Sequence, residues 1–354
     1  MTENTIHYFA GGHTAKGFYH LYETNVQQLN RLFILIGHSA KEKSRILEDI
    51  RQNYTSQQME CIHRASNPQA LEAIIFPELH IGIVDEQSLP VQDESDQERE
   101  TIDLCDRVTD EAKVQILQSQ INEEQQLAYK AYHKALNIHD DWERIYIQQM
   151  DFVKADQVID EFLTKAFNRQ QSKETNPTIK RRFLGAATPE GAVDFVPNIT
   201  EGLANRYMLK GRAGSGKSTF LKKVVTRAEE LGYTIEIYHC GFDPKSLDMV
   251  VIRELGWAIF DSTKPHEYFP ERDGDKAIDM YEKTITPGTD ERFAKEIAII
   301  ESKYREQMNI AKKHLQISAE LQAQLENYYT VDETYIEKLV QEIKQEMEHY
   351  IKSK

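Results

Sequence analysis

The chain reads as an α/β protein made of two tandem P-loop NTPase-type domains, each a parallel sheet followed by a long helical appendage. Three observations lead there: a glycine-rich motif at residues 211–219, an internal repeat spanning both halves, and the alternation of short apolar runs with helix-like runs. Strands alternating with helices are the pattern of a parallel α/β sheet.

The motif is Gly211-Arg212-Ala213-Gly214-Ser215-Gly216-Lys217-Ser218-Thr219, a complete phosphate-binding P-loop. It lies between the apolar run Tyr207-Met208-Leu209 and a helix-like run from Phe220 to Leu231, the strand-loop-helix setting that the chemistry requires. Its glycines let backbone N–H groups turn toward phosphate oxygens, and the helix that follows adds its N-terminal partial positive charge. Lys217 is expected to reach the β- and γ-phosphates, and the Ser218 hydroxyl to ligate Mg²⁺.

The repeat appears when the sequence is slid along itself. At one offset Phe9, Gly11, Thr14 and Gly17 fall on Phe183, Gly185, Thr188 and Gly191, and Leu35, Gly37, Lys43, Ser44 and Leu47 fall on Leu209, Gly211, Lys217, Ser218 and Leu221. Two residues further on, Glu60, His63, Pro68 and Leu71 meet Glu236, His239, Pro244 and Leu247, and Glu78, Ile83 and Asp85 meet Glu254, Ile259 and Asp261. So long a period implies duplicated domains rather than a solenoid of short units. The expected division is a degenerate core at 1–90, its helical appendage at 91–170, a linker at 171–180 beside Pro177, an intact core at 181–270 and a second appendage at 271–354. Each core opens on a Gly-containing hairpin (Tyr8–Glu23; Phe183–Pro197). After the P-loop strand and helix come a second strand and two apolar runs, Ala73–Phe76 with Ile81–Val84 and Met249–Ile252 with Trp257–Phe260. In the appendages Phe293, Ile297, Ile300, Tyr304, Met308, Ala311 and Leu315 recur at helical spacing, as do Leu117, Ile121, Ala128, Tyr132 and Ala135. Such stripes read as helix packing or, alternatively, as a lid or partner-binding arm.

Composition narrows the function. A net charge of −15 over 354 residues argues against a nonspecific nucleic-acid surface and against anionic membranes. The three cysteines, Cys61, Cys105 and Cys240, are scattered without zinc-type spacing, as expected in a reducing cytosol. The N-terminal Met-Thr-Glu-Asn-Thr-Ile-His has no basic segment followed by an apolar stretch, so neither signal peptide nor membrane span is expected.

The two copies are not equivalent. The first loop reads Gly37-His38-Ser39-Ala40-Lys41-Glu42-Lys43-Ser44. Glu42 replaces the glycine before the lysine, setting a side chain and a negative charge where backbone should approach phosphate, and Ala40 replaces Gly214. This copy is expected to bind nucleotide weakly or not at all, or to hold another anion through Lys43 and Ser44. Arg31, Arg45 or Arg64 are candidates to reach the second site as an arginine finger, against the simpler reading of solvated arginines.

The second site needs a carboxylate at a neighbouring strand end to hold Mg²⁺ or its water shell. Trp257-Ala258-Ile259-Phe260-Asp261 has that form, and Asp261 is the candidate, with an N-cap role as its alternative. Asp248 and Glu254 are weaker candidates for positioning water or an acceptor. His239 and Cys240 end the second strand, where active-site residues of open sheets collect. His266 is expected to be exposed. No Asn/Thr-Lys-x-Asp guanine-reading motif is present, so ATP is the default nucleotide.

The arrangement resembles a family of tandem P-loop proteins of Gram-positive bacteria described as ATPases or nucleotide-kinase-like. The resemblance rests on Thr188-Pro189-Glu190-Gly191, Gly211–Thr219, His239-Cys240, Ser246-Leu247-Asp248, Glu254-Leu255-Gly256 and Asp261–His266. It implies ATP binding in the cytoplasm and supplies no second substrate. Three functions follow as expectations: an ATPase or ATP-dependent switch using Lys217 and Asp261, a kinase passing the γ-phosphate to a nucleotide or small molecule, and a nucleotide-binding regulatory module without turnover. The partners implied are nucleotide, an unidentified second substrate or protein, and optionally a second copy of the chain.

Overall fold

The structure is a computed structural model in which residues 5–89, 97–167 and 177–353 are described. The first copy contains β1 (Thr5–Tyr8), β2 (Gly11–Thr14), β3 (Gly17–His20), α1 (Glu23–Val26), β4 (Arg31–Ile36), α2 (Ala40–Asn53), β5 (Met59–Arg64), β6 (Asn67–Phe76), β7 (Ile81–Asp85), β8 (Glu98–Asp103) and β9 (Arg107–Val108). Two helices follow, α3 (Glu111–Ile147) and α4 (Phe152–Phe167). The second copy repeats the series as β10 (Ile179–Phe183), β11 (Gly185–Thr188), β12 (Gly191–Asp194), α5 (Val196–Ile199), β13 (Asn205–Lys210), α6 (Lys217–Glu230), β14 (Ile235–His239), β15 (Leu247–Ile252), β16 (Trp257–Asp261) and β17 (Asp275–Asp279). It ends with α7 (Met280–Thr284), α8 (Thr289–Arg292), α9 (Ala294–Glu326), β18 (Tyr329–Thr330) and α10 (Glu333–Ser353).

The duplication is structural as well as sequential. The six-stranded sheets run β1-β5-β6-β7-β4-β8 and β10-β14-β15-β16-β13-β17, position for position the same. Both are mixed rather than wholly parallel. The loop strand β4 is parallel to β7 and β8, and β1 to β5, but β5, β6 and β7 form an antiparallel meander, as do β14, β15 and β16. The apolar pairs that suggested parallel strands are joined by a few residues, and a parallel crossover needs a dozen or more. The sheets also extend past the expected core boundaries, because β8 and β17 pair with the loop strands β4 and β13. Of the expected linker, residues up to 176 lie outside the described residues, while Ile179 and Lys180 already belong to β10.

The appendages exchange partners. α4 follows the first copy in sequence, yet its Ala155, Ile159, Phe162 and Phe167 are buried with Phe220, Val224 and Trp257 of the second copy. Conversely, α10 follows the second copy, yet Ile336, Leu339, Val340, Ile343 and Met347 pack with Phe33, Ile46 and Ile74 of the first. Each core is completed by the other copy's final helix, as in a swapped dimer fused into one chain.

Between these crossings α3 and α9 lie antiparallel. Glu124 pairs with His314 at 2.6 Å, Leu117 and Ile121 share a cluster with Leu325, and His139 packs on Tyr304. At 1.5 Å rise per residue α3 spans about 55 Å. The predicted stripes face this seam: Ala128, Tyr132, Ala311 and Leu315 are all buried in it. The sheets also meet directly, where the Phe183 N–H donates to the Phe9 carbonyl at 2.8 Å. Beside that contact Arg182, fully buried, reaches Glu60 of the first copy at 2.6 Å and Glu236 of the second at 3.2 Å.

Candidate functional site

The glycine-rich loop lies between β13 and α6, the strand-loop-helix placement that its sequence predicts. Gly211, Gly214 and Gly216 have φ of 151°, 73° and 85°. Gly216 sits at the N-cap of α6 in the left-handed region, and no side chain caps that helix. Among the described residues no side chain accepts a hydrogen bond from an amide of residues 211–219. Lys217, nearly buried, arches back so that Nζ donates to the Arg212 carbonyl at 2.9 Å and stands 3.6 Å from the Asp261 carboxylate. Asp261 is thereby brought to the loop: β16 is the parallel neighbour of β13, and its register pairs Asp261 with Leu209, two residues before the loop.

Asp261 makes a local cap and also faces the loop lysine. Oδ1 accepts from the Thr263 N–H at 3.1 Å and the Thr263 hydroxyl at 2.6 Å, which is the local cap, while Oδ2 faces Lys217. Ser218 is more occupied than its sequence implied. Its hydroxyl oxygen accepts from the Leu247 N–H at 3.0 Å, and Ser44 makes the same bond to Leu71 at 2.9 Å. One lone pair and the proton remain for a ligand. Asp248 lies deep in this cluster. Burial first, and then the charge of Asp261, pushes its carboxyl up to about 7.

Other candidates fall elsewhere. His239 donates from Nδ1 to the Pro244 carbonyl at 2.7 Å, as His63 does to the Pro68 carbonyl at 2.8 Å, so this histidine pins a turn in both copies. The Cys240 thiol is pushed up by burial and by Asp248, away from reactivity. Glu254 accepts from the Thr234 N–H at 3.0 Å at the start of β14, the sheet end opposite the loop. His266 is not exposed: it pairs with Asp194 at 2.7 Å, and that carboxylate raises its pKa despite burial. The arginine-finger candidates are held by other partners: Arg31 by Glu100 and Glu346, Arg45 by Glu42 and Glu333, Arg64 by Asp85.

No local pattern ties the other copy's arm to this loop, yet that arm closes over it. The end of α3 lies against the loop, and a Cβ on Gly214 would come within 2.4 Å of the Glu143 carbonyl oxygen. Gly214 therefore serves helix approach as well as loop geometry. Arg212 donates twice to Asp290, at 2.9 and 3.1 Å, and Tyr146 of α3 donates to the other oxygen of the same carboxylate at 2.9 Å. One turn earlier His139, Asp140 and Glu143 bring ligand atoms within 4.8 Å of one another. Burial lowers His139, and the Lys217 charge adds to that shift. Spacing on α3 could have exposed this cluster, but nothing in the sequence ties α3 to the loop.

The first copy is chemically different. Lys43 is fully buried and bound to Asp85 at 2.8 Å, with Glu86 at 3.6 Å, so its charge is answered within the first copy. Glu42 does not project into the loop: it turns to Arg45 at 2.8 Å. Three other carboxylates take the loop amides instead. Glu86 accepts from Gly37, Asp106 from His38 and Ser39, and Glu326 from Ala40 and Lys41. Beside this loop lies a cleft of about 800 Å³, lined by Lys41, Ser44, Arg45, Arg64, Asn67 and Glu326 among others. In the second copy Phe242 takes the place of Ser66 of that lining and packs on Tyr132, His139 and Tyr304.

No helix among the described residues is long and apolar enough to cross a membrane. No protein-family model, no curated protein and no solved structure matches the chain.

Proposed function

We propose that the protein is an ATP-binding P-loop NTPase with one working site, in the C-terminal copy, acting in the cytoplasm with Mg²⁺. The observation that carries this reading is the unlike state of two equivalent helix starts. α6 begins without a side-chain cap, with Lys217 arched over the loop and Asp261 beside it. α2 is capped by Ser39 and surrounded by carboxylates. An uncapped helix start with a lysine above it favours an anionic ligand.

In this reading the amides of residues 214–219 and Lys217 hold the β- and γ-phosphates. The second lone pair of Ser218 and Oδ2 of Asp261 would hold Mg²⁺ or its water shell, which would supply charge to offset the phosphates. The end of α3 lies on Gly214, so a bound nucleotide would bear on the helix pair; this favours an ATP-driven switch with hydrolysis. A kinase reading draws on the strand-end pair His239-Cys240, and here His239 is engaged with Pro244 while burial pushes the Cys240 thiol up.

The test is calorimetry with Mg²⁺·ATP on the whole chain and on Lys217→Ala, with phosphate release followed in the absence of any acceptor. Binding lost in the variant, with acceptor-independent release by the parent, is the expected result. Undiminished affinity in Lys217→Ala would remove the site assignment. Release that requires an added acceptor would make the protein a phosphotransferase.

A further inference from the structure

The first loop has lost its external ligand but not its need for an anion. We propose that the degenerate loop is a self-liganded anion socket whose ligand is the carboxylate of Glu326, and that this contact latches the end of α9 to the first copy and closes the socket to outside anions. Glu326 is the last residue of α9, which enters from the second copy. Its Oε1 accepts from the Ala40 N–H at 3.0 Å and the Lys41 N–H at 3.4 Å, and its Oε2 accepts from the Ser39 hydroxyl at 2.7 Å. These are first-turn donors of α2, the groups a phosphate would use. Ser39 in turn accepts from Glu42 N–H at 3.1 Å, so the hydroxyl relays the cap.

The contact belongs to one copy only. The backbone bonds Thr109 N–H to Tyr328 O and Thr286 N–H to Gln149 O are equivalent, one at each end of the helix pair. Matching them sets Ile147 of α3 where α9 has Glu326. The arm that reaches the intact loop thus ends on an apolar residue and leaves those donors alone; the arm that reaches the degenerate loop ends on a carboxylate. Three further features fit a latch rather than a chance surface contact. Asp106 takes the neighbouring amides of His38 and Ser39 at 3.1 and 2.6 Å. Tyr329, just past Glu326, stacks on His38 with ring centroids 5.4 Å apart. Tyr329 and Thr330 pair with Val108 and Arg107, and Leu325 is buried against α3, so the chain is fixed on both sides of the carboxylate.

The test uses the full chain as wild type, Glu326→Ala and Glu326→Gln. Amide hydrogen exchange is read over residues 38–42 and 320–332, and over 143–151 of the matching arm as an internal control. The probes are sodium formate, inorganic phosphate and sodium chloride at equal ionic strength. Glu326→Ala is expected to speed exchange in the first two segments by about tenfold, leaving 143–151 unchanged. Formate should restore most of that protection in Glu326→Ala and do nothing to wild type, while chloride does nothing to either. Phosphate should likewise act on the variant alone if it fits beside Asp106. Glu326→Gln keeps the shape and one acceptor, so an intermediate effect is expected even if the alanine variant folds poorly. Unchanged exchange in both variants, equal loosening of 143–151, or formate acting no better than chloride would each overturn the proposal.

Discussion

The two loops share ancestry, topology and their lysine and serine, and yet they solve the same electrostatic problem in opposite ways. Each turns a row of amides and a helix start toward one point. In the first copy the chain supplies the answering negative charge from Asp106, Glu86 and Glu326, and Lys43 is neutralised by Asp85. In the second copy Lys217 leans on a backbone carbonyl and α6 starts uncapped. The difference teaches that the residue replacing the glycine before the lysine is not what fills the first loop. Glu42 turns away to Arg45, and distant carboxylates brought in by the fold take the loop amides.

The strongest way to break this comparison is to remove the two lysines separately. Lys217→Ala should lower ATP affinity by at least about a hundredfold, since it deletes the cation over the phosphates, with little change in melting temperature. Lys43→Ala should leave ATP affinity unchanged and cost about 1–3 kcal/mol of stability, because the buried Asp85 loses one of its two cations and keeps Arg64. Calorimetry and denaturant titration on both variants read the two effects. A loss of nucleotide binding in Lys43→Ala would show that the first loop is not silent.

The exchanged helices give the next largest effects. Phe162→Ala in α4 removes a ring packed on Phe220, Tyr207 and Trp257 and should cost about 3–4 kcal/mol. Ile343→Ala in α10, from the first core, should cost about 2–4 kcal/mol. Hydrogen exchange sharpens the comparison by location: the first variant should loosen the second sheet most, and the second variant the first sheet. The reverse assignment would mean that each arm serves its own copy. Gly214→Ala should follow, at about 1–3 kcal/mol, since the new methyl meets the Glu143 carbonyl and φ is 73°. Ala40 already occupies the matching position in the first loop.

Sequence carried the duplication, the loop, its flanking strand and helix, and the strand that delivers Asp261, because these are local patterns or repeats of local patterns. Hairpin apolar runs such as Ala73–Phe76 and Ile81–Val84 were legible as strands but not in direction, which the short connection decided. The crossing of α4 and α10 was not legible. The two cores are near copies, so the apolar face of Phe162 suits either, and only the span of α3 and α9 determines which is reached. Glu326 was invisible for the same reason: its role exists only because a helix of the other copy ends there. His239 shows the converse: its repeat in His63 fits a substrate contact or a local backbone bond equally well, and in both copies it pins the turn to a proline carbonyl.

The remaining test is read along pH, in the interior of the second copy's cluster. Asp248 has its carboxyl pushed up to about 7 from the ordinary 3.8, first by burial and then by Asp261. In the unfolded chain the group ionises at its ordinary value. Between about pH 4 and pH 7 the folded protein therefore holds a proton that the unfolded chain has lost, so unfolding releases a proton and this group's contribution to stability falls as pH rises. Above about 7 the penalty is complete and flat. Asp248→Asn removes the titration while keeping the shape, so its stability relative to wild type should climb through that window and then level off. Glu72, the matching residue of the first copy, is also pushed up to about 7 by burial, against Arg64. Its Gln variant should show the same rise, and only Asp248→Asn should also shift the pH dependence of ATP binding. Equal shifts from both variants would mean that the two loops are coupled through the core rather than divided between socket and site.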